Sequence, residues 1–248
     1  MGTCSVIGQA AGTAAALCVR ESCRPADISG ARLRRLQQHL MEDDCWLPGF
    51  TRPLSRLMSD ARIAVSNAGD AAVLLNGRER SRGDVPDDWR GGPGDAVTLQ
   101  WDTVRQVHAV RIVFDSDLDA NKRMPCHYPL AGHDFRPADF LVKAFSIDVR
   151  TGNGSKWTTL HRITDNARRR VVLPVDREVK GIRLRLLEAW GDTEGRVFSF
   201  EAFDEPIPLT LDPPEGRKWT DVMADIAAAD LAPPDNGLEG KAPGHRKQ

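Results

Sequence analysis

From residue 61 onward the chain alternates between apolar and polar positions. Val97, Leu99 and Trp101 are separated by Thr98 and Gln100, and Val110, Ile112 and Phe114 by Arg111 and Val113. Phe145, Ile147 and Val149 enclose Ser146 and Asp148, while Ile182, Leu184 and Leu186 enclose Arg183 and Arg185. Each period-two stripe marks a strand with one face on a core. Segments 63–67, 157–163, 169–175 and 197–203 extend the series. About eight strands between residues 59 and 204, separated by Gly, Asp, Asn and Pro turns, predict an antiparallel β-sandwich or jelly roll. No long amphipathic helix interrupts them, which argues against a parallel α/β sheet. Trp157 falls in a predicted strand and is expected in the core. Arg168, Arg169 and Arg170 are expected on a solvated strand face.

The first fifty residues read differently. Residues 8–20 are nearly all Ala, Gly and Thr, ending in Leu17, Cys18 and Val19, and predict a thin helix that another backbone or a flat ligand can approach closely. Such a helix is marginal alone and needs tertiary support. Pro25 and Asp27 mark a turn, with Asp27 or Ser29 available to cap a second helix that carries Leu33, Leu36 and Leu40 on one face. Two half-covered helices cannot bury a core, so something else must pack on them. Beyond residue 205, Pro206, Pro208, Pro213 and Pro214 predict an extended connector. Residues 219–231 then predict one helix with Val222, Met223, Ile226 and Ala227 on a face, followed by a disordered tail. The expected domains are therefore a helical segment at 1–50, a sandwich at 59–204 and a connector with tail at 205–248. The fold class is mainly β.

Composition narrows the function classes. A net charge of −1 over 248 residues gives no electrostatic reason to expect nucleic acid or an acidic membrane as partner. Cys4, Cys18, Cys23, Cys45 and Cys126 are odd in number and lack CxxC spacing, which points to reduced thiols and a cytoplasmic chain, with export of the parent protein left open. The small apolar stretch 2–19 has no basic residue before it and is too short and polar to span a bilayer. Cys126, His127 and His133 lack zinc spacing, and Asp115, Asp117 and Asp119 lack the Gly and terminal Glu of a calcium loop, so no metal is expected. Catalytic triads, a P-loop and HExxH are absent from the sequence.

The run Met1-Gly-Thr-Cys-Ser-Val-Ile-Gly-Gln-Ala-Ala-Gly-Thr-Ala-Ala-Ala-Leu17 carries the most information. On spacing alone, a close-packed Ala/Gly helix and a ligand-facing helix start both remain open. The run resembles the closing flavin-contacting segment of bacterial FAD-dependent oxidoreductases, a resemblance that continues through Pro25-Ala26-Asp27-Ile28 and Glu42-Asp43-Asp44 to Leu47-Pro48-Gly49. It implies that the helix points its N-terminus at the isoalloxazine ring. The backbones of Cys4, Ser5 and Val6, with Gly8 and Gln9 beside them, would then bind FAD. The strand–GxGxxG–helix half of such a domain is not in this sequence. The chain is accordingly expected to be a C-terminal fragment, with Met1 an internal residue of a longer protein, inactive alone and completed by an N-terminal FAD-binding portion. That portion would bring most of the contacts to a small-molecule substrate, with oligomer formation left open.

A second resemblance covers the sandwich. Residues 61–67, Val73-Leu74-Leu75-Asn76-Gly77, Trp89 and Phe198-Ser-Phe-Glu-Ala202 are similar to galactose-binding, discoidin-like domains. That resemblance implies sugar binding through loop aromatics, and often a structural calcium. Trp89, Tyr128, Trp157 and Trp190 are the available rings, with Trp190 the carbohydrate-binding candidate. A non-catalytic carbohydrate-binding module is thus the rival to flavin-mediated hydride or electron transfer.

Overall fold

The computed structural model describes residues 2–81, 87–118, 136–152, 154, 156–191, 193–210, 218, 220, 221, 224 and 225. It divides the chain into two compact units, Met1–Asp119 with Pro137–Leu211 and Ala120–Arg136 with Asp212–Gln248. In the second unit, residues 220, 221, 224 and 225 are helical. Val222, Met223, Ile226 and Ala227 of the expected helix there lie outside the described residues.

The first unit opens with helix α1 (Gly2–Glu21), a 3-10 turn at Pro25–Asp27 and helix α2 (Gly30–Glu42). Leu17 and Cys18 are buried in α1, and Leu40 and Met41 in α2. Ser29, in extended backbone, stands at the N-cap of α2. The leucine stripe turns inward only at its end: Leu33 is exposed, Leu36 half-buried and Leu40 buried. Glu21 joins the two helices, accepting from Arg32 at 2.8 Å and also from Arg35.

Among the described residues seven strands follow: β1 (Arg62–Val65), β2 (Trp89–Gly91), β3 (Ala96–Phe114), β4 (Val142–Arg150), β5 (Thr158–Ile163), β6 (Arg170–Ala189) and β7 (Gly195–Phe203). Every pairing is antiparallel. β3 and β6 pair along most of their length, with a register shift between Gln100 and Arg105. Before the shift, β3 lies between β1 and the second half of β6; after it, between β7 and the first half of β6. One hydrogen-bonded network therefore folds over itself into two layers. Val97, Leu99, Val110, Ile112, Phe145, Ile147, Ile182, Leu184 and Phe200, all fully buried, form a single core between the layers. Phe114 and Phe145 meet across it with ring centroids 5.2 Å apart. Each such side chain contributes about 1.5–3 kcal/mol by leaving water.

The chain is thus mainly β, an antiparallel sandwich preceded by two helices. Predicted strands 97–101 and 110–114 are one bent strand, as are 169–175 and 182–186. β2 escaped the pattern because three residues are too few to show alternation. Trp157 corrects its expectation. It lies half-buried just ahead of β5, its ring between the guanidinium groups of Arg150 and Arg183, 5.3 and 4.6 Å from the centroid. Gly181 supplies the floor, since a Cβ there would sit 3.1 Å from the indole.

Candidate functional site

The N-terminal end of α1 is open. Residues 3–9 are all exposed, Val6 at 54% and Ile7 at 62%, and nothing lies within 4 Å of where a Cβ on Gly8 or Gly12 would stand. The helix begins at Gly2, so Cys4 belongs to the first turn, whose N–H groups have no carbonyl ahead of them in an α-helix, and Ser5 follows as the first residue to donate along it. Val6, Gly8 and Gln9 follow along the helix, and the Gln9 carbonyl accepts from the Thr13 hydroxyl at 2.9 Å. The first turn carries no acidic side chain. All five residues predicted to bind flavin therefore share one uncharged, exposed helix end. The free donors and the positive end of the helix dipole favour an anionic or carbonyl-like partner.

Behind that end, the helical segment is fixed to the sandwich by buried charge. The outer face of the β3/β7 layer presents Arg111, Ser199 and Glu201, which would be unremarkable in water; here all three are buried. Glu79 accepts from Arg111, with one bond at 2.8 Å, from Arg52 at 3.1 Å and from Ser199 at 3.0 Å. Glu201 accepts from Arg52 as well. Burial alone would raise the Glu79 carboxyl, but the bonds and charge of Arg111 and Arg52 outweigh it and hold the group at about 2. Arg111 also reaches the carbonyl of Glu42 at the end of α2, at 3.3 Å.

Asp44, just past α2, accepts from Arg80 and from Arg169, each at 2.8 Å. Arg169 donates onward to the carbonyl of Phe114 at 2.8 Å and to that of Glu79. The expectation of a solvated face for the arginine run is therefore overturned at Arg169, whose side chain is 9% exposed, and at Arg170, 23% exposed. Burial pushes both guanidinium groups below their ordinary range. Nothing local announces this, because Asp44 stands 125 residues away from Arg169 in the chain. An arginine run beside a strand, read against the acidic Glu42-Asp43-Asp44 trio, was the available signal.

Between the helices and this layer lies a cavity of about 690 Å³, lined by Gly12, Thr13 and Ala16 of α1, by Arg111 and Arg170, and by residues 205–208. Its walls mix Arg20, Arg111 and Arg170 with Glu42, Asp43 and Glu205, so it favours neither sign of ligand.

The aromatic candidates are mostly committed to structure. Trp89 is 1% exposed, donates to Asn67 at 2.9 Å and is walled by Gly69 and Gly91, where a Cβ would come within 2.8 and 2.6 Å of the ring. Trp190 packs at the edge of the core, donates its indole N–H to the Asn166 carbonyl at 2.7 Å and lies 5.4 Å from the Lys143 ammonium. Tyr128, Cys126, His127, His133 and Asp119 lie outside the described residues. Asp115 is buried against Arg196 and accepts from the Asp117 N–H at 2.9 Å. Among the described residues no group of three or more His, Cys, Asp or Glu could hold a metal ion, and no helix is long and apolar enough to cross a membrane.

Comparison with known proteins matches residues 1–40 to the family model of FAD dependent oxidoreductases. A search of curated proteins returned no significant match. Among solved structures, the chain is similar to chitosan-binding module 1 of a chitosanase/glucanase from Paenibacillus sp. IK-5, at 14% identity and TM-score 0.41, covering 58% of this chain and 95% of that one. It is also similar to the family 32 carbohydrate-binding module of Clostridium perfringens NanJ, solved with galactose, at 10% identity and TM-score 0.42, covering 60% and 97%. The family 32 module of Streptococcus pneumoniae EndoD matches at 12% identity and TM-score 0.41, covering 58% and 96%. At these values no ligand carries over to this chain.

Proposed function

We propose that this chain works as part of an FAD-dependent oxidoreductase, with the open end of α1 facing the flavin ring and the sandwich clamping the helical segment from behind. The observation that carries the reading is the match of residues 1–40 to that family, on a helix whose first two turns are exposed and uncharged. The backbones of Cys4, Ser5 and Val6, with Gly8 and Gln9 alongside, are assigned to the ring, the Cys4 N–H lying in the first turn. Gly8, with open space around it, lets a flat group lie close. A helix N-terminus favours negative charge by about 0.3–1 kcal/mol, more where water is excluded. When bound, FAD supplies hydride or electron transfer that side chains cannot. The protein's share is position: Asp44 with Arg80 and Arg169, and Arg111 with Glu42, fix α2 on the sandwich, and Glu21 fixes α1 on α2.

Expression together with the in-frame coding sequence directly upstream tests the reading. A folded product carrying one flavin per chain, seen in its visible absorbance, is the expected result. A folded product that never takes up flavin would overturn it.

A further inference from the structure

The C-terminal end of α1 places two thiols side by side. Ser22 has φ of 49°, the left-handed conformation that closes a helix, and its N–H donates to the Val19 carbonyl at 3.3 Å. The N–H of Cys23 donates back to the Cys18 carbonyl at 3.0 Å. Together these bonds form a Schellman turn, the helix ending in which the residue after the left-handed position packs on the one five earlier. Those two positions are Cys23 and Cys18. With standard bond lengths, a 3.0 Å bond between them leaves their α-carbons at most about 6.9 Å apart. Disulfides span about 4.4–6.8 Å between α-carbons, and any bend at the hydrogen bond brings the pair well inside that range. Both are free thiols, Cys18 buried and Cys23 half-buried. Arg32 stands near Cys23 and is itself anchored by Glu21.

We infer that Cys18 and Cys23 are an oxidation site, closing to an intrachain disulfide on reaction with a two-electron oxidant of the hydroperoxide class. Cys23, the more accessible, attacks as thiolate; the O–O bond breaks, a sulfenic acid forms and one water or alcohol leaves. Cys18 then attacks that sulfur, the S–O bond breaks and a second water departs. Two thiol hydrogens and two electrons pass to the peroxide in all. The disulfide locks the exit of α1 into α2. Burial pushes the Cys18 thiol up, which leaves the first attack to the more accessible Cys23. Sequence spacing alone gave no sign of the pair, because five residues along a continuous helix do not share a face; the left-handed Ser22 brings them together.

Hydrogen peroxide on the full chain, followed by alkylation and trypsin without reductant, is the test. Cys18 falls in the peptide ending at Arg20 and Cys23 in residues 21–32, so a disulfide holds two peptides together, each lighter by one hydrogen. The linked pair is expected in the wild type and in Cys4→Ser, absent in Cys23→Ser, and released by dithiothreitol. Separate, fully alkylated peptides, or a link that vanishes in Cys4→Ser, would overturn the assignment.

Discussion

Glu79→Gln is the sharpest perturbation of the buried seam. Arg52, Arg111, Glu79 and Glu201 balance as two cations and two carboxylates, all nearly inaccessible. The amide keeps the shape and removes one charge, leaving Arg111 without its carboxylate. The Glu79 pKa falls from 4.5 to about 2 in the folded protein. At about 1.4 kcal/mol per unit that is about 3 kcal/mol, and removing one partner of a buried pair costs a similar 3–5 kcal/mol. Urea unfolding at neutral pH should therefore show a loss of about 3 kcal/mol. Adding Arg111→Met should recover at least about 1 kcal/mol, because the stranded cation goes with it. Because the folded pKa is depressed, this stabilisation is complete above about 4.5 and disappears as pH falls toward about 2; the variant should lose that part of its acid sensitivity. A single-variant loss under about 1 kcal/mol, or strictly additive losses, would refute the reasoning.

Three further outcomes are expected. Gly77→Ala should cost at least about 2 kcal/mol in thermal or urea unfolding, since φ is +65° and a Cβ would stand 2.3 Å from the Arg52 carbonyl oxygen; a neutral result would contradict that geometry. Asp44→Ala should speed limited proteolysis between residues 20 and 50 about tenfold, because the Arg80 and Arg169 bonds tie this segment down; an unchanged cleavage rate would contradict that role. Trp190→Phe should lower stability by about 1 kcal/mol through the lost bond to Asn166; unchanged stability with loss of glycan binding would reverse the structural assignment of that ring.

The sandwich was legible because its core strands obey a local rule: Ile182, Leu184 and Leu186 point one way and Arg183 and Arg185 the other. The bends were not, since Gln100 to Arg105 keeps no alternation and the pairing that carries both halves of β3 is long-range. The same limit explains the arginine run. Arg169 looks like a solvated strand residue until the fold brings Asp44 to it. Trp157 failed for a related reason, because Gly181, Arg150 and Arg183 make it a place on the outer face that local sequence does not announce. At the candidate site the residues were legible through motif rather than period. Their exposure was not, because an Ala/Gly helix looks alike whether a neighbour covers it or not.

Amide hydrogen exchange over residues 3–9, with and without flavin bound to the chain expressed with its upstream sequence, tests the central claim most directly. The Thr3 and Cys4 amides lack carbonyl partners within the helix and should exchange rapidly without flavin. Marked protection of Cys4 is expected when flavin binds. Bound flavin with exchange at Cys4 unchanged would contradict the assignment of this helix end to the ring.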